Sequence, residues 1–183
     1  MRLKQLLPFV FILTNCIVYA QPELQPADNL KQYQENYKWR IEQTTLAGQY
    51  IPKDLPDAIN ELNKLTDESS RVKFKSLTES EAEHKLYFSL GRWVATNWSF
   101  YEGSRLSHYF KEVGITFPED QAIALIIAWH RTLNKKDINF KEIRDRLVEK
   151  RKKEQEERIR SKQTIIREEI KKAPNTPNNG VKN

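Results

Sequence analysis

Residues 118–134 read Pro-Glu-Asp-Gln-Ala-Ile-Ala-Leu-Ile-Ile-Ala-Trp-His-Arg-Thr-Leu-Asn, and this stretch decides the fold class. Pro118, Glu119 and Asp120 suit a first helical turn, because proline lacks the amide that such a turn leaves unbonded and the carboxylates face the positive end of the helix dipole. The body that follows, residues 122–129, is apolar on every side. A helix without a polar face has to be enclosed by other elements, so it is predicted to be the buried centre of an all-α domain. Asn134 and Asp137 mark its exit.

Working towards the N-terminus, Gly114 stands where a left-handed C-terminal cap belongs, after a helix carrying Leu106, Tyr109, Phe110 and Val113 that Ser104 can cap. Residues 99–103 are a break. Thr78 and Glu81 have capping-box spacing and open a helix expected to reach Trp98, with Leu86, Leu90, Trp93 and Val94 along it. Before it, Val72, Phe74 and Leu77 read as a short turn. Asp54 caps a helix with Pro56 in its first turn and Leu55, Ile59, Leu62 and Leu65 on one face, while Ile51-Pro52 is extended. Gly48 ends a first helix that starts at Asp28, with Leu30, Tyr33, Tyr37 and Ile41 at helical spacing and Trp39 and Arg40 off that stripe. No run alternates apolar and polar residues between turn signals, so a sheet is not expected.

The last third changes character. Residues 135–172 hold 15 Lys and Arg against 9 Asp and Glu, a surplus equal to the whole chain's formal charge of +6. Ile138, Phe140, Ile143 and Leu147 can pack on the domain, but residues 149–158 contain nothing apolar, which breaks any continuous coiled-coil seam. Glu142 to Arg146, Glu149 to Lys153, Glu154 to Arg158 and Glu156 to Arg160 place acid four residues before base, a pattern that supports a solvated helix. The expected organisation is therefore a linker and N-terminal helix over 21–49, a helical domain over 50–137, a long, charged, solvent-exposed helix over 138–172 and a disordered tail over 173–183 rich in Pro and Asn.

The first twenty residues read as an export signal: Arg2 and Lys4, then an apolar stretch, then Val18-Tyr19-Ala20, with cleavage leaving Gln21 first. The apolar stretch is shorter than the roughly 20 residues a bilayer span needs. Lipidation at Cys16 is the alternative, since Leu13-Thr14-Asn15-Cys16 has a faint lipoprotein-box character. The chain of 183 residues has one cysteine and five glycines, which argues against a disulfide-stapled fold, a zinc ribbon and a Gly-rich β design.

Several spaced blocks carry a resemblance: Ile51-Pro52-Lys53-Asp54-Leu55, Gly91-Arg92-Trp93, Asn97-Trp98, Gly103-Ser104-Arg105-Leu106, Tyr109-Phe110, Gly114-Ile115, Pro118-Glu119-Asp120 and His130-Arg131 with Leu133-Asn134. Over residues 50–137 the chain resembles an uncharacterised bacterial helical family, a domain of unknown function often found behind export signals. The resemblance implies a discrete exported helical domain and assigns no activity, cofactor or catalytic residue. Where the family pattern has Gly and a second Trp after Trp98, this chain has Ser99-Phe100-Tyr101, which leaves the shape of that turn open.

Candidate chemistry is sparse. Glu102, Arg105, His108 and His130 would make an acid–base site only if the fold brought them together. Otherwise His108 is a surface or cap residue and His130 a cation at a helix C-terminus. Arg92, Trp98, Phe100, Tyr101 and Arg105 surround the break at 99–103 and could line a groove for a peptide, glycan or partner helix, although core packing explains most aromatics. Arg92 and Arg105 could equally pair with Glu102 or Glu112. Neither a metal site nor a cofactor is expected, because no HExxH, P-loop, GxSxG or dinucleotide pattern occurs. The expectation is an exported module, periplasmic, outer-envelope-associated or secreted, that binds another protein or an envelope component. Nucleic acid is not expected as a partner. Membrane contact would need an uncleaved signal, a lipidated Cys16 or the basic helix. The rival readings are an enzyme with a cleft near 99–108 and His130, and an anionic-polymer or membrane-surface binder acting through the run Lys150-Arg151-Lys152-Lys153.

Overall fold

The computed structural model describes residues 26–172; the signal segment with Cys16, Ala20 and Gln21, and the tail 173–183, lie outside the described residues. The element order is α1 (Leu30–Glu42), β1 (Thr45–Leu46), β2 (Gln49–Tyr50), α2 (Leu55–Leu65), α3 (Glu68–Lys75), α4 (Glu79–Leu86), a π-helical turn (Tyr87–Gly91), α5 (Arg92–Asn97), α6 (Arg105–Glu112), α7 (Pro118–Leu133) and α8 (Phe140–Lys172). The fold is all-α apart from one two-stranded hairpin, in which Thr45 faces Tyr50 and Leu46 faces Gln49. The hairpin corrects the expectation of no sheet. Two residues per strand are too few to show alternation, and the turn residues Ala47 and Gly48 both take positive φ (48° and 76°), as a tight hairpin turn requires.

α7 is the axis of the core. Every residue from 120 to 131 is buried, and α2, α3, α4, α5, α6 and α8 all pack on it. Asp54 caps α2 by accepting from the Asp57 amide, and Thr78 with Glu81 forms the reciprocal capping box on α4. Val72 and Phe74, read as part of a short turn, lie instead in α3: the side chain of Asp67 accepts from the Ser70 amide, and Phe74 is buried. Spaced two apart, these two apolar residues gave no helical stripe to read. The first helix starts one residue late, capped by Asn29 rather than Asp28, and it buries no residue completely. Its expected stripe is only partly used, since Leu30 is 71% exposed and Tyr33 45%, whereas Trp39 packs against the core.

The helix expected to run unbroken to Trp98 contains the π turn at Tyr87–Gly91. The extra residue in such a turn rotates everything after it relative to a 3.6-residue stripe. Val94, Ala95 and Trp98 therefore face the core while Trp93 remains 39% exposed. Gly91 sits in the wide turn with the Ile126 side chain close above it, 3.3 Å from where a Cβ would be.

The exits of α5, α6 and α7 share one device. Ser99, Gly114 and Lys135 have φ of 53°, 93° and 54°, and the amides of Phe100, Ile115 and Lys136 bond back to the carbonyls of Ala95, Phe110 and Arg131 at 2.9, 2.8 and 2.9 Å. This is the Schellman arrangement, whose left-handed residue favours glycine. Ser99 thus holds the turn in the left-handed conformation although it is not a glycine, which settles the shape left open by the sequence.

Gly103 fixes α1 to the body. Its φ is 94°, and a Cβ there would lie 2.4 Å from the Tyr37 ring. Its carbonyl accepts from Arg40 Nε at 3.0 Å. Gly103→Ala is expected to cost about 1–3 kcal/mol from strain and the displaced ring, and to loosen α1 selectively. Urea denaturation and limited proteolysis across 30–42 would show both effects. Gly48→Ala, with nothing within 4 Å of the added carbon, should leave proteolysis of α1 unchanged.

Candidate functional site

The residues singled out by sequence do not form one site. His130 is buried at the end of α7, its Nε2 2.9 Å from the Leu77 carbonyl and its ring edge-on to Phe74. His108 lies on α6, with Nδ1 3.1 Å from the Tyr37 hydroxyl and Nε2 3.5 Å from Glu112. The two histidines share no partner. Arg105 pairs with neither Glu102 nor Glu112. Its Nε donates to the Ile51 carbonyl at 2.6 Å and its guanidinium lies over the Tyr50 ring. Glu102 is exposed. The convergence required of a cleft built from Glu102, Arg105, His108 and His130 is not met.

The aromatic groove is corrected in the same way. Trp98 and Phe100 are both 0% exposed and line no open surface; Phe100 packs edge-on to Phe110 with centroids 6.0 Å apart. The Schellman turn explains this burial, because its bonding directs the residue after the left-handed one back over the helix it ends. Tyr101 stays half exposed and Arg92 exposed. Burial followed by the Glu119 charge raises the Tyr101 hydroxyl above its ordinary pKa.

A different surface is assembled around α8. Its first turns are held by apolar and charged contacts in register: Ile143 and Leu147 are buried, Arg146 reaches Glu83 at 2.8 Å, and Arg151 grips Asp120 through two bonds of 2.8 Å. The Arg151 guanidinium also lies 4.6 Å from the Phe117 ring centre, and the Asp120 hydrogen bonds raise its pKa further. The basic run 150–153 is thereby broken up, since Lys153 in turn meets Glu149 at 3.7 Å. The helix is docked as far as Arg151 and exposed from 152 to 165.

Three concavities meet at Arg151. One of about 320 Å³ lies on the side of Ile115, Phe117 and Val148. A second of about 330 Å³ lies on the side of the π turn, with Tyr87, Phe88, Ile123 and Lys150. The third, about 370 Å³, is the corner that the departing helix makes with the domain, between Phe117 and the residues Arg158, Ile159 and Lys162. Phe88 is 73% exposed, Phe117 47% and Ile159 49%, an apolar rim that a packed domain does not need for its own stability. Nothing in one sequence joins Asp120 to Arg151, 31 residues apart. The only local hint was an aromatic, Phe117, just before the first proline of a buried helix.

The extent of the domain is also clear from this geometry. Its wall begins at the fully buried Ile51 and closes with Leu133, the last residue of α7. Residues 51–133 match the family described as Domain of unknown function (DUF6794). The matched segment contains the core helices α2 to α7, while α1, the hairpin and α8 lie outside it or at its edge. Neither the curated proteins nor the solved structures include a match to the chain. No described helix is long and apolar enough to cross a membrane, and among the described residues no group of three or more His, Cys, Asp or Glu is arranged to hold a metal.

Proposed function

We propose that this chain is an exported, non-catalytic interaction module of the cell envelope or secreted fraction, in which the helical domain is a platform and α8 an arm. The observation that carries the reading is the exit of α8. After Arg151 it runs on for 21 residues, about 30 Å of helix, and makes a concave, apolar-rimmed junction with the domain. Arg105, His108 and His130 are engaged in structural bonds, and surface recognition is the use best supported. The signal-like first twenty residues support export, and periplasmic, outer-envelope and secreted destinations all fit it.

The test has two parts. Mass spectrometry of the protein from its native cells should find Gln21 as the first residue; a chain that retains Met1 overturns export, and a lipidated Cys16 moves the protein to a membrane anchor. Cross-linked capture from the envelope fraction, with the mature protein as bait, should yield a partner in near-stoichiometric amount. Recovery of none above a heat-denatured bait overturns the module.

A further inference from the structure

From the corner between Phe117 and α8 we infer a docking site for an acidic amphipathic peptide segment of a partner protein, a step that rests on the interaction-module reading above. Phe117 of the domain and Ile159 of the arm, each about half exposed, line one concavity. Arg158 and Lys162 line the same space one turn apart on the arm. The spacing Glu154 to Arg158 predicts an ion pair, yet Glu154 turns to Arg151 at 3.5 Å. Among the described residues Arg158 and Lys162 have no hydrogen-bond or ion-pair partner. The corner therefore offers two apolar surfaces and two free cations in about 370 Å³, within the lower part of the range of small binding sites.

Carboxylates and apolar side chains recurring on one face of a peptide match that arrangement. A bilayer fits it poorly, because Phe117 and Ile159 line a hollow that a flat surface would bridge. An extended polyanion fits poorly as well, since Glu154 lines the corner and Glu156 and Glu157 lie on the other faces of the same turns.

The probe is a fluorescein-labelled synthetic peptide of about four helical turns with Glu and Leu at helical spacing, titrated against the full mature chain by anisotropy. Binding is expected to weaken at least about tenfold in R158E/K162E and several-fold in Ile159→Ser, and to weaken when salt rises from about 50 mM to about 0.5 M. A peptide with Lys for every Glu should not bind. All three substituted side chains are exposed, so the variants should keep the wild-type circular dichroism. The inference is overturned if the Lys peptide binds as well, if R158E/K162E binds unchanged, or if no binding occurs up to about 1 mM. It is also overturned if the charge reversal abolishes retention on phosphatidylglycerol vesicles or self-association in ultracentrifugation instead of peptide binding. If the charge-reversed bait still captures the envelope partner, this site fails while the module reading stands. If wild-type bait captures nothing, the module itself fails.

Discussion

Trp129→Ala is expected to lower the unfolding free energy by about 3–5 kcal/mol, the range for removing a buried aromatic side chain. Trp129 is 2% exposed in the C-terminal half of α7. Its ring stacks on Phe74 of α3 with centroids 4.6 Å apart, and its Nε1 donates to Asn63 Oδ1 of α2 at 2.9 Å. One side chain thus joins three helices by both packing and a hydrogen bond. The loss is large against the 5–15 kcal/mol that holds a typical domain together. Trp129→Phe keeps most of the stacking surface and leaves Asn63 without its donor, so it should cost about 1–2 kcal/mol. Urea titrations followed by far-ultraviolet circular dichroism would rank the two. Equal losses would mean that the hydrogen bond, not the ring, dominates.

Arg131→Ala is expected to cost about 3 kcal/mol, near the lower limit for breaking a buried ion pair. The arginine side chain is 10% exposed and forks onto Glu79 at 2.7 and 2.8 Å. It also donates to the Ile138 carbonyl at 2.8 Å and reaches Glu142 at 3.1 Å. It therefore binds the start of α4, the loop after α7 and the first turn of α8 into one joint. Glu79 and Glu142 are 32% and 55% exposed, so water takes over part of the lost bonding and limits the loss. Arg131→Lys should recover only part, because an ammonium cannot make the two-pronged contact.

The same joint sets an acid dependence. Hydrogen bonds from Arg131 hold the Glu79 carboxyl below its ordinary value of 4.5. A carboxylate whose folded pKa is depressed contributes stability that is present above the unfolded value and lost as pH falls through the folded one. Wild type should therefore lose stability below about pH 4.5 more steeply than Arg131→Ala, and the two urea midpoints should converge on acidification. Midpoints that stay parallel down to about pH 3 would remove Glu79 from this role.

Much of the helical frame was legible because local chemistry dictates it. Asp54, Thr78 with Glu81, Ser104 and Gly114 bond or release backbone groups within a few residues of themselves, so their positions alone mark helix ends. α3 and the π turn were hidden for the opposite reason: each depends on a few side chains meeting a distant surface, Phe74 against Trp129 and Gly91 beneath Ile126. The candidate site was barely legible. Arg105, His108 and His130 looked chemical in isolation, and the fold gives them a carbonyl, a tyrosine hydroxyl and another carbonyl to bond.

The all-round apolar run 122–129 by itself determined that α7 lies at the centre, since no fold leaves such a helix in water. The acid-before-base spacing from Glu142 to Arg160 by itself marked the C-terminal segment as a helix, whose stretch 152–165 is exposed. Where the helix leaves the domain was decided only in three dimensions. Asp120 sits at the N-terminal end of the buried helix, and its carboxylate meets Arg151 only once Ile143 and Leu147 have packed. Ion pairs four residues apart can be read along a chain, but a pair between two helices depends on how those helices dock.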